Sequence, residues 1–84
     1  FPNPFNARVS IPYTVPEIGA FQIDVFDLRG RLIRSERIIS SGSSTGTYFW
    51  DGNNEYGMAS SSGMYVVRLS QNELMSSLKI ALLR

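Results

Sequence analysis

The chain has 84 residues, 43% of them hydrophobic and 18% charged, with a net charge of +1 and neither cysteine nor histidine. A chain of this size hides about 63% of its surface on folding, which supports one small core but not a drug-sized pocket of about 300–1,000 Å³ beside it. One domain spanning residues 1–84 is therefore expected, without catalysis, since the commonest general base, the thiol nucleophile and the usual zinc ligands are all missing.

Seven arginines and one lysine lie scattered from Arg8 to Arg84 against seven acids, unlike the clustered basic surface that neutralises nucleic-acid phosphates. No apolar run approaches the ~20 residues that a membrane-spanning helix needs. No basic segment followed by an apolar one opens the chain as a secretory signal would. The start at Phe1-Pro2-Asn3-Pro4, without methionine, is expected of a piece of a longer protein.

Apolar residues recur with period two, the pattern of strands buried on one face. Val9, Ile11 and Tyr13 alternate with Arg8, Ser10 and Pro12. Pro12 cannot donate to a ladder, which places this strand at a sheet edge. Val15-Pro16-Glu17-Ile18-Gly19 reads as a turn, and Phe21, Ile23 and Val25 alternate with Gln22, an exposed Asp24 and Phe26. Asp27-Leu28-Arg29-Gly30 makes a hairpin, with a return strand from Arg31 to Ile39 in which Leu32 faces the core, opposite Ile33. Arg31, Arg34 and Arg37 mark that strand as a charged, exposed edge.

Ser40 to Gly46 is a flexible Ser/Gly loop by composition, followed by the short aromatic strand Thr47-Tyr48-Phe49-Trp50-Asp51 and a long loop from Gly52 to Gly63. Met64 to Ser70 is a strand, Gln71-Asn72-Glu73 a turn, and Leu78, Ile80 and Leu82 belong to the last strand. Six or seven short strands imply an antiparallel, immunoglobulin-like (fibronectin-like) β-sandwich. Its expected core is Val9, Ile11, Phe21, Ile23, Val25, Leu32, Trp50, Tyr65, Val67, Leu69, Ile80 and Leu82.

Few residues offer chemistry. Asp51, Asn53 and Glu55 alternate as the first ligands of a calcium loop do, but the twelfth position is Ser62 and the sixth Tyr56. Such loops normally close with a bidentate acid and turn on a glycine, so backbone-capping turn residues are the expectation and no cofactor is called for. Asp24 and Asp27 point to opposite strand faces, and the serines have no histidine to activate them. Tyr48 and Tyr56 are the candidates for an exposed sugar-binding platform.

More specific than the alternation is a series of motifs. It runs Pro2-Asn3-Pro4-Phe5-Asn6, Val9-Ser10-Ile11-Pro12-Tyr13 and Val25-Phe26-Asp27-Leu28-Arg29-Gly30-Arg31. It continues with Trp50-Asp51-Gly52, Ser62-Gly63-Met64-Tyr65 and Lys79-Ile80-Ala81-Leu82-Leu83-Arg84. Over its full length this series resembles the C-terminal sorting domain of type IX secretion cargo and the related immunoglobulin-like domain of the flagellar hook-capping protein. Ala7 stands where the family commonly has a second proline.

The resemblance implies a monomeric C-terminal appendage of a larger protein, bound for secretion or the outer-membrane surface by way of the periplasm. Its implied partners are the outer-membrane translocon, a surface peptidase and the neighbouring domain of its own chain. Arg31, Lys79 and Arg84 are the implied recognition residues. Two other roles stay open, an accessory module packing through an apolar outer face at Phe26, Ile33 and Val66, and a carbohydrate-binding module.

Overall fold

The computed structural model describes residues 8–40 and 42–84; the Pro2 to Asn6 motif and Ala7 lie outside them. Six strands appear: β1 (Val9–Thr14), β2 (Gly19–Asp27), β3 (Leu32–Ser40), β4 (Thr45–Trp50), β5 (Gly63–Gln71) and β6 (Leu74–Leu82). They form two antiparallel sheets, β1-β4 and β3-β2-β5-β6, in a sandwich. Pro12 sits opposite Thr47 in the two-stranded sheet, where both strands are edges.

Period two decides the core. Ile11 and Val15 from the first sheet's side and Phe21, Ile23, Val25, Tyr65, Val67, Ile80 and Leu82 from the second bury against Tyr48 and Trp50. The Trp50 ring meets Tyr65 edge-on at 5.1 Å between centroids, a geometry that aligns ring edge with ring face. Val9, Tyr13, Ile33, Ile38 and Leu69 pack around this centre half-buried.

Several expectations are corrected. Leu32 is exposed and Ile33 packs on the core, because a bulge between Val25 and Phe26 pairs Phe26 with Leu32 and leaves Ile33 as the extra residue. An inserted residue shifts the alternation of its strand by one. Tyr48 is buried beside Trp50, as strand neighbours two apart must be. Asp24 is buried too, under a network described below. The loop after β3 is shorter than composition suggested, since Thr45 and Gly46 pair with Thr14 and Tyr13 and the Tyr13 ring lies across Gly46 where a side chain would stand. The last strand starts four residues early, at Leu74; its first half carries no buried side chain, so no alternation announces it.

Candidate functional site

β2, β4 and β6 end, and β3 and β5 begin, at one end of the sandwich. There the β2–β3 hairpin, the β4–β5 loop and the chain's last residues meet, and most of the motif residues gather. Asp27 builds the hairpin. Its Oδ1 accepts the backbone N–H of Arg29 and of Arg31, both at 2.9 Å, and its Oδ2 accepts Arg31 Nε at 2.8 Å. Gly30 completes the turn at φ +83°, a conformation costly for residues with a Cβ. The Arg31 backbone N–H, helped by the Arg31 guanidinium and the Arg29 N–H and opposed by partial desolvation, holds the Asp27 carboxyl below its ordinary value. Asp-x-x-Gly-Arg is thus a turn-building unit.

The β4–β5 loop is ordered by its own side chains. Trp50 Nε1 donates to the Asn53 carbonyl at 2.9 Å, Asp51 Oδ1 accepts the Asn53 N–H, and Asn54 Oδ1 accepts those of Tyr56 and Met58. The loop then clasps the edge of β3: the Glu55 N–H donates to the Ile33 carbonyl and the Glu55 carboxylate accepts the Ser35 N–H. Occupying edge groups in this way blocks further strand pairing there. The Asp51 and Glu55 carboxylates therefore serve separate backbone groups, Asn53 takes part through its backbone, and among the described residues no three acid, histidine or cysteine side chains converge as a metal site would require.

Arg84 closes this end. Its Nη2 donates to the Gly52 carbonyl and its Nε to the Ser60 carbonyl, each at 2.6 Å, while its backbone N–H donates to Ser62 Oγ at 3.0 Å. Gly52 makes the approach feasible: it lies at φ +78°, and a Cβ there would stand 2.8 Å from Arg84 Nη2. Tyr65 Oη donates to the Ser61 carbonyl at 2.5 Å, holding the same loop from β5. Arg84 is thus a latch between the end of β6 and the loop, a role that local sequence pattern does not reveal.

Of the three recognition candidates, Arg31 pairs with Asp27 and Arg84 is tied into the loop, both at this end. Lys79 stands apart on β6, register partner of Val66, with no partner to its side chain among the described residues. Lys79, Val66 and Phe26 share one row of the outer face of the four-stranded sheet, whereas Ile33 turns to the core. An apolar outer face formed by Phe26, Ile33 and Val66 therefore does not exist. Beside that row Asp24 accepts from Ser35 Oγ at 2.6 Å and pairs with Arg68 at 3.3 Å, and the Arg68 guanidinium lies 4.8 Å over the Phe26 ring.

A second polar group lies on the inner side of β3. Glu36 and Arg34 are register partners of buried Ile23 and Val25, so Arg34 belongs to this face and not to the exposed edge expected for it. Tyr48 Oη donates to Glu36 Oε1 at 3.0 Å, and Arg34 reaches the same carboxylate at 3.4 Å. Burial, reinforced by the bond to Glu36, pushes the Tyr48 phenol well above its ordinary pKa. With Tyr48 inside and Tyr56 on the loop surface, no Tyr48–Tyr56 platform forms.

The fold and the latched end define an immunoglobulin-like sandwich domain. The chain belongs to the family described as the secretion system C-terminal sorting domain, whose model matches residues 1–82. Proteins of this type IX family are exported to the cell surface or secreted through the periplasm, in association with a secretion system and a cargo chain. The structure of FlgD from Xanthomonas campestris, described as giving insights into the hook capping essential for flagellar assembly, superposes with a TM-score of 0.73 at 16% identity. The match covers 93% of this chain and 57% of that one, and shows a shared fold. No curated protein matches the chain. Among the described residues no helix is long and apolar enough to cross a membrane.

Proposed function

We propose that this domain is the non-catalytic export signal of a larger protein, forming its C-terminal domain and directing it across the outer membrane to the cell surface. The family match over residues 1–82 carries the reading. The structure supports it physically: the motif residues Asp27, Gly30, Arg31, Gly52, Tyr65 and Arg84 build one end of the sandwich and not a catalytic cleft. The role calls for no cofactor or calcium.

In this reading the outer-membrane translocon is the direct partner, a surface peptidase acts after transit, and the domain works as a monomer. Arg31 and Arg84 hold the shape of the recognised end, and Lys79, exposed on the edge strand, makes contact. β6, which among the described residues pairs with β5 alone, also suits recognition by strand addition. The test fuses the 84 residues to a reporter carrying a signal peptide, in a bacterium with a type IX system. The reporter is expected in the medium or on the surface, and in the periplasm once residues 78–84 are removed. A folded fusion retained in the periplasm with the domain intact would overturn the proposal.

A further inference from the structure

The strands β2 and β5 part company before either ends. Their pairing stops at Gln22 opposite Ser70, yet β2 continues back to Gly19 along β3 and β5 continues to Gln71 along β6. Buried Gln71 bridges the fork: its Nε2 donates to the Glu17 carbonyl at 2.7 Å and its Oε1 accepts the Glu17 N–H at 2.9 Å. The fork leaves a cleft of about 360 Å³, a volume not expected beside so small a core, which opens at the surface between diverging strands and takes nothing from the interior; Ala20, Gln22, Arg37, Ser70 and Asn72, among others, line it. It lies at the end of the sandwich opposite the Arg84 latch.

Five of the eight cations are engaged. Arg8 lies over Phe49, Arg31 holds Asp27, Arg34 reaches Glu36, Arg68 holds Asp24, and Arg84 binds loop carbonyls. Among the described residues the side chains of Arg29, Arg37 and Lys79 have no such partner, and Arg37 lines the cleft. No acid is among the lining residues; Glu17 touches the cleft indirectly, through Asn72 Nδ2 at 3.1 Å, and Asp24 through Gln22 Nε2 at 3.4 Å, its charge met by Arg68. The outer sheet face beside it carries Arg37 and Arg68 with Asp24, and Lys79 lies farther along, in the row of Phe26 and Val66.

A guanidinium presents a planar fork of donors matched to a carboxylate. Beside it, Ser70 Oγ and Gln22 Oε1 bond to no other described residue and can meet peptide amides, while Gln22 Nε2 is already spent on Ser35 Oγ at 2.5 Å. We infer that this cleft binds an acidic peptide segment of a partner protein, one carboxylate seated on Arg37. Isolated cations with an acid between them favour such a segment over an anionic membrane, which is read by clusters of lysine and arginine. The inference does not depend on the export reading.

The experiment titrates the isotopically labelled 84-residue chain with hexaglutamate and follows its backbone amide signals. Saturable shifts are expected at residues 20–22, 37 and 70–72. Arg37→Gln should weaken binding about tenfold or more, the loss of a charge-assisted contact, whereas Arg29→Gln, which removes the same charge, should leave it unchanged. Arg37→Lys, conserving charge without the fork, should fall between and covers the case in which Arg37→Gln fails to fold. Equal weakening by R29Q and R37Q would overturn the proposal, as would equal binding of hexaglutamine. Inorganic phosphate or phosphatidylglycerol vesicles occupying the cleft as tightly as hexaglutamate would overturn it in favour of a phosphate or a membrane.

Discussion

Replacing Gly52 with alanine should destabilise the domain in two ways, through its backbone conformation and through the Arg84 latch. The backbone contributes first: φ +78° puts an L-residue in the left-handed region, at about 1–2 kcal/mol. The new Cβ would stand 2.8 Å from Arg84 Nη2 and 3.1 Å from Leu82 Cδ1, so the guanidinium must leave the Gly52 and Ser60 carbonyls. Hydrogen bonds to charged groups contribute roughly 1.5–3 kcal/mol each when buried; Arg84 is exposed, and about 1 kcal/mol for the pair is appropriate. Gly52→Ala should then cost about 2–3 kcal/mol, a fall in Tm of roughly 8–24 °C at about 4–8 °C per kcal/mol for a domain of this size.

The discriminating quantity is the coupling with Arg84→Ala, which removes the guanidinium in advance. In that background Gly52→Ala should retain its backbone cost and the Leu82 contact but lose the clash with Arg84, so the double mutant is about 1 kcal/mol more stable than additivity predicts, as expected for residues in contact. Urea unfolding of the four proteins, followed by the fluorescence of Trp50, gives the number. Additivity within about 0.3 kcal/mol would refute the latch.

Three further outcomes are expected. Trp50→Ala, at a fully buried position, should cost about 3–5 kcal/mol, read by thermal unfolding in circular dichroism. Asp27 should titrate below 3.8 in the folded chain; the stability it supplies is present above the unfolded pKa and lost as pH falls through the folded one, so Asp27→Asn should flatten the acid limb of a stability–pH curve. Tyr48 is shifted the opposite way: the unfolded phenol ionises near its ordinary value of about 10 while the folded one keeps its proton. Stability should therefore decline as pH rises above that point, and Tyr48→Phe should lessen the decline, as measured by urea unfolding between neutral and alkaline pH.

What could be read in the sequence followed from local rules. The alternation of Phe21, Ile23 and Val25, and of Tyr65, Val67 and Leu69, places β2 and β5 because both are interior strands with one face on the core. The Asp27 hairpin was legible because a short acid, a glycine and an arginine satisfy one another within five residues. Leu32 was misplaced because a bulge leaves no mark in hydrophobic pattern. Asp24 read as exposed because its compensation comes from Ser35 and Arg68, on two other strands. Arg84 read as a contact residue for the same reason: its loop partners are 22 to 32 residues away. The cleft at Arg37 arises from the divergence of two strands, which only the register reveals.

The export claim is tested most directly by comparing one reporter fusion in two hosts. The fraction reaching the medium and cell surface is measured in a bacterium with a working type IX translocon and in an otherwise identical strain lacking it. The account predicts export in the first and a folded, protease-resistant fusion held in the periplasm of the second. Equal distribution in both strains would contradict it.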